Sequence, residues 1–194
     1  MRQLPVKAGI VCGLLGLAVF LVLYAIAVSL DGNYVFFENY LSDLGVGHGA
    51  WAFNSALVIT GIMLVLFAAF GIGAVMGCSL SARAGKALLA LSGVLLVGVG
   101  VFTEDFDPEH YIFSVSYFLT FLVALLTISA SLYQTRVLGN FGLIVSATAC
   151  AVGILLIPMG GDPESETVAV LTMIVWGALV GGAALLKEYG HELP

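Results

Sequence analysis

Six separate stretches of this chain are each apolar enough, over enough residues, to cross a lipid bilayer, and little else constrains its fold so strongly. They run over residues 8–30, 51–76, 87–102, 112–133, 141–159 and 168–186. A helix rising about 1.5 Å per residue needs about 20 such residues to span the hydrocarbon. Only closed barrels and helices satisfy every backbone polar group there, and no alternating strand pattern competes, so the expected architecture is an all-α six-helix membrane bundle. The third stretch, near 16 residues, is expected to be short. With 61% hydrophobic and 9% charged residues, the chain lacks the charged surface a water-soluble domain requires. One bundle spanning residues 1–194 is the natural domain division.

Arg2 and Lys7 precede a long apolar run that ends near Ala25-Ile26-Ala27, a pattern shared with secretory signal peptides. The run is longer than a signal core, and it is read as the first span.

The basic residues orient the bundle. Arg2 and Lys7 precede span one, Arg83 and Lys86 join spans two and three, Arg136 joins four and five, and Lys187 follows six. Lysine and arginine are held back on the cytoplasmic side during insertion, which places both termini in the cytoplasm of a multi-pass protein of the cell membrane. Ten of the twelve acids (Asp31, Glu38, Asp43, Glu104, Asp105, Asp107, Glu109, Asp162, Glu164 and Glu166) fall in the three opposite connections, and Glu188 and Glu192 in the terminal tail. The net charge of −6 therefore reflects loops rather than a basic partner, and nothing points to nucleic acid. Cys12, Cys78 and Cys150 share no metal or redox spacing and read as packing residues. Gly9 and Gly13, Gly98 and Gly100, and Gly177 and Gly181 mark faces for close helix approach, within the chain or in a homo-oligomer.

The outward connections carry the chemistry. In the first, Phe36, Phe37, Tyr40, Leu41 and Leu44 recur at helical spacing, leaving Glu38, Asn39, Ser42 and Asp43 on another face, with Gly45 placed to stop the helix. This predicts a surface amphipathic segment between the first two spans. Tyr34, Phe37 and Trp51 suit ordinary interfacial anchoring. The second, residues 103–110, packs four acids and His110 into eight positions. If the next helix starts near Pro108, His110 and Ser114 lie one turn apart on one face. Acids preceding that helix also suit its positive end, a purely structural role. The third connection, residues 160–166, reads as a turn and an acidic helix start without assigned chemistry.

Asn39, Ser42, Asp43, His48, Asn54, Glu104, Asp105, His110 and Ser114 are thus expected to line one outward pocket. Within it, His48, His110, Asp43, Glu104 and Asp105 are the donors suited to a divalent metal, although no metal-binding spacing links them. The same groups suit general acid–base chemistry without a metal. No Asp, Glu, Lys, Arg or His stands at mid-depth of a span, which disfavours a coupled transporter.

The stretch Asn39-Tyr40-Leu41-Ser42-Asp43-Leu44-Gly45, then Phe53-Asn54, Gly61, Phe102-Thr103-Glu104-Asp105, His110 and Ser114, resembles a family of uncharacterised archaeal and bacterial membrane proteins, domain of unknown function 998. Thr103 stands where those proteins often have Pro. Ser42-Asp43-Leu44-Gly45 is also similar, more distantly, to a signature of the Frag/DRAM/Sfk membrane proteins, some linked to lipid organisation, which implies a lipid-facing role for Asn39, Ser42 and Asp43. Three functions are compatible with these residues: lipid binding at the outer face, an outer-leaflet enzyme acting on a lipid or isoprenoid, and a small transporter or channel.

Overall fold

Serine at 79 accepts the Ala82 N–H at 3.1 Å through its hydroxyl and so caps a helix that starts well before the apolar stretch it belongs to. That helix, the third to span, runs over Leu80–Val101, 22 residues rather than 16. Arg83 and Lys86 therefore ride on its first two turns, not in a connecting loop, with both side chains exposed. Long basic side chains can lie along a helix end with their charges in water, so they lower local hydropathy without ending the helix.

The computed structural model describes residues 3–190. Arg2 and Glu192, both used in the orientation argument, lie outside the described residues. The spanning helices are α1 (Gln3–Leu30), α2 (Ala50–Leu66), α3 (Leu80–Val101), α4 (Glu109–Thr135), α5 (Gly139–Leu156) and α6 (Pro163–Gly190), and no strand occurs among the described residues. α2 continues through a π-turn at Phe67–Gly71 into a four-residue helical segment, Ile72–Val75. A 3₁₀ turn, Ile157–Met159, extends α5.

Each helix packs on the next, and α6 returns to α1, so the bundle is a closed ring. Without a hydrophobic drive between helices in lipid, such packing depends on close backbone approach and interhelical hydrogen bonds. The α2–α3 contact shows the first. A Cβ on Gly61 would stand 2.6 Å from the Gly93 carbonyl oxygen, and one on Gly93 would stand 2.7 Å from that of Gly61. Gly9 similarly faces Gly71 of the π-turn, while Gly177 and Gly181 admit Leu17 and Leu14 of α1. These glycine faces are thus used inside the chain. Across the α5–α6 contact, the buried Trp176 Nε1–H donates to Ser146 Oγ at 3.0 Å.

At the end of the bundle where the chain starts and stops, Lys187 Nζ donates to the Val137 carbonyl at 2.7 Å, and Lys7 lies 4.2 Å from the Tyr189 ring centre. The opposite, acidic end is closed by the α1–α2 connection. This segment does not form the amphipathic α-helix expected between residues 36 and 45. It makes a turn with Phe37 at a left-handed φ of 71°, then a single 3₁₀ turn, Ser42–Gly45. The side chains explain the difference, because Asn39 Oδ1 takes the Val35 N–H at 2.9 Å and Asp43 Oδ2 takes that of Tyr40 at 3.0 Å. Short polar side chains that satisfy nearby amides compete with the helical ladder. The division of faces survives all the same, with Phe36, Phe37 and Tyr40 exposed and Leu41 and Leu44 buried in the bundle.

Candidate functional site

The α3–α4 connection sets the geometry of the acidic end. Phe102 stacks on Phe113 with ring centres 5.0 Å apart and meets Phe106 edge-on at 6.3 Å, fixing the end of α3 against the start of α4. Gly98 makes room for the Phe113 ring, which a Cβ there would strike. This cluster carries the Phe102 carbonyl, an unpaired acceptor at the α3 terminus, to His110 Nδ1 at 2.7 Å. A carbonyl oxygen only accepts, so Nδ1 carries the proton. In the neutral ring Nε2 is then the acceptor, and it faces the Ser114 hydroxyl at 3.3 Å, one turn further along α4.

Both side chains line a cavity of about 650 Å³ walled by α4, α5 and α6, within the size range of small-molecule sites. Its polar groups gather at the acidic end: Ser42, Glu104, Asp107, His110, Ser114, Ser165 and Glu166. Towards mid-bundle the lining turns mainly apolar, with Phe118, Leu122 and Leu125 of α4, Ala149 and Gly153 of α5, and Met173 of α6, and the one hydroxyl there, Thr172, is spent on the Val168 carbonyl at 2.7 Å. A smaller cavity of about 100 Å³ lies in the ring between α1, α2, α3, α4 and α6. The two share Ser42, Ser114, Phe118, Phe121, Glu166 and Met173.

Glu166, in the first turn of α6, joins the pieces. Its Oε2 accepts the Leu41 N–H at 2.7 Å, across 125 residues of sequence, and so ties the α1–α2 connection to α6. The carboxylates of Glu104 and Asp43 are close enough to act on it electrostatically, and Glu166 and Asp43 in turn act on the Tyr34 phenol. Burial pushes the Tyr34 hydroxyl far above the usual phenol range, so it remains neutral. No Lys or Arg occurs in residues 31–49, 102–108 or 160–166 to offset these acids.

Of the expected site residues, Ser42, Glu104, His110 and Ser114 line the large cavity. Asp43 stands beside Glu166 but spends Oδ2 on the Tyr40 amide. Asn39 and Asn54 hold structure instead: Asn39 caps its own turn, and Asn54 Nδ2 donates to the Gly45 carbonyl at 2.8 Å, fixing the connection onto α2. His48 and Asp105 are exposed and do not line the cavity. Among the described residues no three His, Cys, Asp or Glu side chains converge to hold a metal ion, so His48, His110, Asp43, Glu104 and Asp105 do not make up one ligand set. Glu166 and Ser165 come from the third connection, whose sequence reads only as a turn and an acidic helix start. The signal was available in the helical spacing, since Glu166, Val170, Met173 and Gly177 share one inward face.

Among the described residues, six long apolar helices closed into a ring make this a multi-pass helical membrane protein. Within that class, the chain belongs to the family described as protein of unknown function (DUF998), which it matches over residues 14–139, from α1 to the first residue of α5. No curated protein and no solved structure matches it.

Proposed function

We propose that this protein binds an amphiphilic lipid, with the headgroup at the acidic end and the chain between α4, α5 and α6. The observation that carries this reading is the polarity gradient within one 650 Å³ cavity, hydroxyls and carboxylates at one end and aliphatic and aromatic side chains along the rest. Lysine and arginine at the opposite end support a cytoplasmic location for both termini in the cell membrane, which puts the headgroup site at the outer leaflet. Glu104, Asp107 and Glu166 disfavour an anionic headgroup and suit a cationic one or a neutral hydrogen-bond donor. Transport has less support, because the spans carry no Asp, Glu, Lys, Arg or His at mid-depth.

Mass spectrometry of lipids retained by the purified protein tests the proposal. Ala169→Trp puts a large side chain into the cavity one helical turn below Ser165 and Glu166. Wild-type protein is expected to retain a defined amphiphile, and the variant to lose it by about tenfold or more, the equivalent of ~1.4 kcal/mol. Equal retention by both would refute the assignment.

A further inference from the structure

We propose that Ser114 and His110 form a nucleophile–base pair that cleaves an ester of the amphiphile held in the α4–α6 cavity. The inference rests on the lipid-binding reading for its substrate and on separate geometry for its chemistry. A serine hydroxyl is a weak nucleophile until a base accepts its proton, and a catalytic base must itself be held in the right tautomer. Here the Phe102 carbonyl, 2.7 Å from Nδ1, performs that orienting task and leaves Nε2 directed at Ser114 Oγ, 3.3 Å away. If the pair served only to cap α3, the Nδ1 contact alone would suffice. Ser114 also lies where the polar lining gives way to Phe118 and Leu122, the depth at which an ester linkage between headgroup and chain would sit.

The chemistry balances with water as the only co-reactant. Ser114 Oγ bonds to the ester carbonyl carbon while its proton passes to His110 Nε2. The ester C–O bond then breaks, the departing oxygen takes that proton, and an alcohol leaves behind acyl-Ser114. Water adds to the acyl carbon with its proton going to Nε2. Release of Ser114, reprotonated from the imidazole, yields the carboxylic acid and restores both side chains. In this scheme Ser114 and His110 are the catalytic residues, and Phe102 is a positioning residue through its main chain.

The test is an alkyl fluorophosphonate, which phosphonylates activated serines, applied to the full-length protein in nanodiscs and mapped by peptide mass spectrometry. Labelling is expected at Ser114 and absent from Ser114→Ala. His110→Asn keeps an amide N–H where Nδ1–H meets Phe102 but removes the base, so labelling should slow about 10²-fold, at the lower end of general-base effects. Wild-type protein unlabelled at Ser114, or a His110→Asn variant labelled as fast as wild type, overturns the pair. Retained lipid in a protein whose Ser114 does not react would sink the hydrolytic inference and leave the binding reading intact. Labelling at Ser114 in protein that retains no amphiphile supports the pair and removes the lipid assignment.

Discussion

Replacing Glu166 by Ala should loosen the α1–α2 connection over the acidic end, and the structure sets the size of the effect. The lost contact is a hydrogen bond from the Leu41 N–H at 2.7 Å, a kind that contributes about 0.5–1.5 kcal/mol. Leu41 is buried, so its amide has no ready access to water once the carboxylate is gone, and the full desolvation cost falls on the variant. Relief works in the opposite direction, because the substitution removes a charge repelled by Glu104 and Asp43. Those groups lie near the aqueous end, where each such repulsion is of order 1 kcal/mol or less. The hydrogen bond wins, leaving a net loss of about 1–2 kcal/mol, or roughly 5–30-fold in local opening. Glu166→Gln keeps a carbonyl acceptor and sheds the repulsion, so it should fall near wild type. Hydrogen–deuterium exchange of residues 35–49 in nanodiscs reads both variants. Unchanged exchange in the alanine variant, or equal acceleration in both, would refute the idea that this one bond holds the connection down.

Other outcomes follow from contacts already described. Gly61→Ala places a Cβ within 2.6 Å of the Gly93 carbonyl oxygen and should cost about 1–3 kcal/mol as the helices part, seen as a lowered melting temperature in detergent. Trp176→Phe leaves the buried Ser146 hydroxyl without its 3.0 Å partner and should destabilise the α5–α6 contact by about 1–2 kcal/mol, measurable by the same melt. Cys78, exposed in the α2–α3 turn, should resist a membrane-impermeant maleimide in intact expressing cells and react after permeabilisation, whereas Asp105→Cys in a Cys78→Ser background should react at once. Reversal of that pattern would invert the proposed orientation.

Hydropathy located all six helices because the bilayer rewards one property, continuous apolarity, which any window detects. Its error at α3 has the same origin: Arg83 and Lys86 depress the average where Ser79 in fact starts the helix. The first connection departs from its helical spacing for a different reason. Spacing of Phe36, Tyr40 and Leu44 suits a helix, but apolar spacing carries no record of the amide groups that Asn39 and Asp43 bind. The same limitation separates the expected site from the observed one. His110 and Ser114 are four apart on one helix, so their contact was readable from local geometry. Glu166 meets Leu41 across the ring, and no short-range spacing reports that closure.

Gly61 and Gly93 illustrate how such a ring limits its own evolution. Each would drive a new Cβ into the other's main-chain oxygen, so both substitutions strain one and the same gap. Once either residue has pushed α2 and α3 apart, the second has little further distance to force, and the two penalties should add to less than their sum. The first step in any exchange at these positions therefore bears nearly the whole cost. Drift away from glycine would have to pass through a destabilised intermediate, whichever of the two changed first.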